Sequence, residues 1–174
     1  MHMRVLIWFG VVSLLISTGC KDDRTSLFDI IQVVDFTIPA GLNTFETHFF
    51  QIQVNSNFDD QLEATAVEEA DVASIEPQFC EVATIFADRD LDFIRAIEVH
   101  VFNTFDPQNR REVFYLDPVP GNTRTRIRPF PGLQNVKDIV SDPSYGVEIR
   151  LRFIAPPPTT LDMRMEFEFA AFGD

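Results

Sequence analysis

With 27 Asp and Glu against 14 Lys and Arg in 174 residues, the chain carries a formal charge of −13. A nucleic-acid backbone would be repelled by it rather than neutralised, so a nucleic-acid partner is excluded, and a peripheral hold on anionic headgroups is opposed for the same reason. The charge is lopsided: Cys20 to Asn109 holds 18 acidic and 4 basic side chains, whereas Arg110 to Asp174 holds 9 of each. All but Lys137 of those later cations are arginines, whose planar forks suit fixed pairing with carboxylates.

The chain opens with Arg4 and an apolar run from Val5 to Ile16, followed by the small residues Ser17, Thr18 and Gly19 and then Cys20. A basic head, an apolar middle and a small-residue cleavage site make a secretory signal, and the run is well short of the ~20 residues a spanning helix needs. Ser17-Thr18-Gly19-Cys20 resembles the lipobox of bacterial lipoproteins. Lys21-Asp22-Asp23 resembles the acidic signal that sends lipoproteins of the Bacteroidetes type to the outer face of the outer membrane. The resemblance implies that residues 1–19 are removed and that Cys20 becomes the first residue and carries the lipid. The partner so implied is a membrane, met through the acyl chains, each methylene contributing about 0.8 kcal/mol. Residues 20–26 then read as a polar tether and 27–174 as one domain. With Cys20 acylated, Cys80 is left without a disulfide partner and reads as a buried structural thiol.

From Leu27 the pattern becomes short apolar runs of period two. Val34, Phe36 and Ile38 share a face opposite Asp35 and Thr37; after the turn Pro39–Asn43, Phe50, Ile52 and Val54 lie opposite Gln51 and Gln53. Asn57 followed by Asp59 and Asp60 predicts a helix over Phe58–Ala66, with Asn57 as its cap. Strands follow at Phe79–Ala87, with Cys80, Val82, Thr84 and Phe86 on one face, and at Arg95–Thr104, with Ile97, Val99 and Val101 inward and Glu98 and His100 outward. The turn Asp106–Asn109 joins the latter to Arg111–Leu116 as a hairpin. Thr123–Pro129 reads as a strand and Leu133–Val140 as a second helix, its stripe being Leu133, Val136 and Val140. In the last two strands, Val147, Ile149, Leu151 and Phe153 alternate with charges, then Leu161, Met163, Met165, Phe167 and Phe169 do the same, which predicts a closing hairpin around Ala155–Thr160. Seven or eight short strands without a long helix predict an all-β, antiparallel β-sandwich, with an immunoglobulin-like order preferred and a jelly roll as the alternative.

Chemistry-bearing clusters are few. Asp88, Asp90 and Asp92 alternate in one acidic turn and can converge on calcium, although Phe93 stands where an EF-hand needs glycine; the competing reading is a solvated turn. Arg124, Arg126 and Arg128 form a ridge that can hold an anion or a partner, or pair with the acidic half and guard an edge strand. His100 beside Glu98 reads as an outward strand histidine. Motifs for phosphate loops, zinc hydrolases and nucleophile elbows are absent, and no cofactor other than calcium is implied. The expected role is therefore non-catalytic binding, adhesion or accessory work on a bacterial outer membrane, toward an envelope protein or a glycan. The alternatives are an envelope hydrolase using acidic residues and a structural subunit of an outer-membrane complex.

Overall fold

The structure, a computed structural model, describes residues 24–86, 89–121 and 125–174. Among them, nine strands and two short α-helices, with one 3-10 turn at Glu69–Asp71, follow in chain order: β1 (Phe28–Ile38), β2 (His48–Asn55), α1 (Phe58–Thr65), β3 (Ser74–Thr84), β4 (Ile94–Asn103), β5 (Arg110–Leu116), β6 (Arg126–Ile127), β7 (Phe130–Pro131), α2 (Lys137–Val140), β8 (Ser144–Phe153) and β9 (Leu161–Phe172). Two antiparallel sheets result, one in the order β1-β9-β3-β6 and the other in the order β2-β8-β4-β5-β7. The chain is an all-β sandwich. Its faces are those the alternation predicts: Val34, Phe36 and Ile38 are buried on β1, and Ile97, Val99 and Val101 on β4.

The strand order corrects the preferred arrangement. Among the described residues β4 and β5 are the only consecutive strands that pair, and most other connections carry the chain from one sheet to the other. An immunoglobulin-like sandwich pairs several consecutive strands within each sheet, so the connectivity is that of the jelly roll. The closing hairpin is likewise corrected. β8 lies between β2 and β4 in one sheet, and β9 between β1 and β3 in the other, with Ala155–Thr160 crossing from sheet to sheet. Sheets pack about 10 Å apart, a gap that six proline-stiffened residues span but a two-residue hairpin turn does not.

Between the sheets, Phe114 of β5 meets Phe167 and Phe169 of β9 at ring-centroid distances of 6.5 and 6.0 Å, and Phe167 lies edge-on to Phe169 at 5.5 Å. All three are fully buried. Such pairs add about 0.5–1.5 kcal/mol beyond the area they remove from water.

Three local expectations change. α1 ends at Thr65 with Ala66 in the left-handed region at φ 54°, but Asn57 does not cap it. The Asn57 side-chain oxygen instead accepts from Gln32 Nε2 at 3.0 Å, and Ser56 Oγ accepts from the Phe58 amide at 3.2 Å. The second helix begins only at Lys137, because Asn135 Oδ1 accepts from the amides of Lys137 and Ile75 and so holds the preceding turn open. Leu133 is therefore exposed rather than part of a buried stripe. Of the strand expected at Thr123–Pro129, the described residues form strand at Arg126–Ile127; after Pro129 the chain joins the other sheet at its edge, where Pro131, lacking an amide donor, is tolerated.

Candidate functional site

Strand direction decides which loops meet. β1, β3, β5 and β8 finish, and β2, β4, β6 and β9 begin, at one end of the sandwich, which gathers there the described residues of the loops 39–47, 85–93, 117–125 and 154–160. Their described residues are knitted by backbone bonds. The Gly41 amide donates to the Pro157 carbonyl at 2.9 Å, the Ile154 amide to Phe93 at 2.9 Å, and the Val119 amide to Arg95 at 2.7 Å. Gly41 has φ +75°, a turn that an L side chain adopts only with strain. Between loops 85–93 and 154–160 lies an open cleft of about 460 Å³ whose lining includes Arg89, Asp90, Asp92, Phe93, Pro156 and Pro158. That volume is within the range of small-ligand sites, and its mix of exposed prolines and charged side chains offers both apolar surface and hydrogen-bond partners. Phe45 and Phe86 project at the same end, 95% and 84% exposed.

The opposite end, the base, carries α1, α2, the 104–109 turn and both ends of the described chain. There Arg24 grips Glu76 through both guanidinium nitrogens at 3.1 and 3.3 Å, and the Leu27 amide donates to the Ala171 carbonyl at 2.7 Å. Arg24, which falls within the expected 20–26 segment, is thus held against the domain.

Of the expected site residues, Cys20, Asp88 and Arg124 lie outside the described residues. Asp90 and Asp92 line the cleft together, flanking the fully buried Leu91, but the cationic Arg89 shares it with them. Arg126 and Arg128 converge on one carboxylate, Glu81 of β3, at 2.8 and 2.7 Å, and the Arg128 guanidinium lies over Phe79. Their ridge runs along the edge beside β3 and is used within the molecule. Cys80 is a free, buried cysteine, its thiol pushed far up by burial and by the neighbouring Glu81 charge.

The outward face of the five-stranded sheet holds a charge network that sequence reading passed over. Glu148 of β8 is 2% exposed. It accepts from Gln51 on β2, from Arg110 on β5 at 2.5 Å and from Arg150 at 2.8 Å. Burial pushes its carboxyl up, but the bonds from Gln51 and Arg150 and the charges of Arg110 and Arg150 outweigh burial and leave it below the ordinary value. The Arg110 guanidinium in turn covers Phe102 at 5.1 Å, and the Phe102 ring lies on Gly146, where a Cβ would stand 2.1 Å from it. Beside this network, the His100 imidazole is pushed below its ordinary value by burial and by Arg150, against the pull of Glu98 and Glu148. The Glu112 carboxyl is pushed up by burial and by the Glu98 charge.

No helix among the described residues is long and apolar enough to cross a membrane. No family model and no curated protein matches the chain. Among solved structures, a chain titled Desmodium yellow mottle tymovirus is similar at 10% identity over 99% of this chain and 96% of that one, with a TM-score of 0.23. A likeness that distant carries no argument about this protein.

Proposed function

We propose that the chain is a lipid-anchored protein of the bacterial outer membrane with a non-catalytic binding role, tethered through Cys20 and presenting its clustered loops to an envelope protein or glycan. The observation that carries this reading is polarity. Arg24, the first described residue, lies at the base, while the described parts of the four loops and their cleft occupy the other end, roughly 35 Å away along a strand such as β9. From Cys20 to Arg24 four residues reach at most about 14 Å, so the base would stand close to the lipid and the cleft far from it. The base also bears Asp59, Asp60, Glu69 and Asp71, which repel anionic headgroups and favour an upright stance over lying flat.

Two measurements test it. Cys20→Ala is expected to release the protein from the membrane fraction into the soluble fraction, and retention in the membrane would count against the anchor. In vesicles holding the lipidated protein and a headgroup-linked quencher, a fluorophore on Asp106→Cys is expected to be strongly quenched and one on Thr159→Cys hardly at all. Equal quenching at the two positions would overturn the proposed orientation.

A further inference from the structure

The β4–β5 hairpin holds a second cluster, independent of the loops. His100 stands on the outward face between Glu98, two residues earlier on its own strand, and Glu112 across on β5. Its Nε2 is 3.7 Å from Glu98 Oε2 and 4.0 Å from Glu112 Oε2, and the three ligand atoms lie within 4.8 Å of one another. Both distances are too long for a hydrogen bond. The nitrogen is nevertheless buried and has no hydrogen-bond partner among the described residues. Leaving such a group unpaired is costly, and so is holding two carboxylates around it.

The backbone has a device that produces this arrangement. Val99 is opposite Phe114, but the register then shifts, and His100 is opposite Glu112 rather than Val113. Val113 is the extra residue of a β-bulge, buried next to the buried Phe114. Without the bulge, regular pairing would set an apolar valine opposite the imidazole; with it, a carboxylate takes that place. Bulges of this kind re-aim side chains and recur beside functional sites.

The spacing has a simple chemical meaning. Zinc bonds of about 2.0–2.2 Å in a tetrahedron place neighbouring ligand atoms about 3.4 Å apart. We propose that Glu98, His100 and Glu112 form a binding site for a divalent transition cation of the Zn²⁺ type, reached by closing the two imidazole–carboxylate gaps by about 0.3 and 0.6 Å and turning the two carboxylates, whose oxygens lie within 4.8 Å of each other, onto the ion. One imidazole and two carboxylates suit zinc better than calcium, which takes six to eight oxygens. Three protein ligands leave a fourth position to water. Two cations oppose the ion: Arg150 Nη1 is 4.0 Å from Glu98 Oε2, and Arg152 Nη2 is 3.8 Å from Glu98 Oε1. Each has a closer anchor, Arg150 on Glu148 at 2.8 Å and Arg152 on Asp117 at 2.6 Å, so Glu98 can turn to a metal without stranding either.

Calorimetry of the full chain with zinc chloride at neutral pH tests the site. One equivalent of zinc is expected to bind, with affinity falling at least tenfold in His100→Ala and in Glu112→Gln and rising several-fold in Arg150→Gln, where the opposing charge is gone. Manganese is expected to bind more weakly than zinc, and calcium in excess is expected not to displace the zinc. Glu112 is exposed, so its glutamine variant keeps the fold and isolates the ligand effect. Absence of zinc binding, equal binding in His100→Ala, or displacement of the zinc by an equal concentration of calcium would overturn the proposal. Each of these outcomes is independent of the lipid anchor.

Discussion

Phe167→Ala is expected to lower the unfolding free energy by about 3–5 kcal/mol, the range for an aromatic ring truncated in a packed interior. Phe167 is fully buried on the central strand β9 and touches Phe114 from the opposite sheet as well as Phe169 on its own. Truncation therefore removes contacts that hold the two layers together, and neither sheet can collapse alone to refill the space. Typical domains are stable by about 5–15 kcal/mol, so this single change takes a large share of the total. Urea denaturation followed by circular dichroism reads it directly. A loss below about 1 kcal/mol would mean that the interlayer packing is not what the fold rests on.

Glu148→Gln is the second large effect, expected at about 2–3 kcal/mol at neutral pH. The change keeps the shape but leaves Arg110 and Arg150 facing a neutral amide, and removing one member of a buried ionic group costs up to about 3–5 kcal/mol. Here both guanidiniums are about a quarter exposed and recover some hydration, which places the expectation at the lower end. The pH dependence has a definite sign. Because the folded carboxyl sits below its ordinary value, its stabilising contribution is complete above about pH 4.5 and is lost as pH falls through the folded value. The stability gap between wild type and Glu148→Gln should accordingly narrow under acid. A gap that stays constant from pH 7 to pH 3 would show that Glu148 does not act through its charge.

What the sequence made legible was which side of each strand faces inward. Val34, Phe36 and Ile38, or Ile97, Val99 and Val101, alternate with polar residues, and burial of one sheet face enforces that period. The β4–β5 hairpin was legible too, because its turn is short and rich in turn formers. Neighbour choice was not. The alternation in Val147–Phe153 and Leu161–Phe169 says that each strand has a buried face and says nothing about which strand lies beside it, so the two were joined as a hairpin although they belong to different layers. The same gap made an immunoglobulin-like order look preferable to the jelly roll. Side-chain competition was a further blind spot: position makes Asn57 a helix cap and spacing starts the second helix at Leu133, yet Gln32 claims the Asn57 oxygen and the amides of Ile75 and Lys137 claim that of Asn135.

The candidate sites divide along the same line. Arg126 and Arg128 were recognisable as a ridge, and their pairing with Glu81 follows from β6 lying on β3. The alternation of Val147, Ile149, Leu151 and Phe153 puts Glu148 on the outward face, where the structure has it. Its burial comes from Gln51, Arg110 and Arg150 closing over it from three strands. Glu112 carried no signal of its own, because a bulge shifts the pairing by one residue and strict alternation hides that shift. A histidine flanked by glutamates on the two arms of a hairpin was the one clue available.

The mass of the amino-terminal peptide of the protein taken from its native membrane bears most directly on the whole reading. A chain that starts at Cys20 with acyl groups on that residue is the predicted result; a leader still in place, or a bare thiol at Cys20, would contradict the lipid-anchored role and the outward-facing cleft that depends on it.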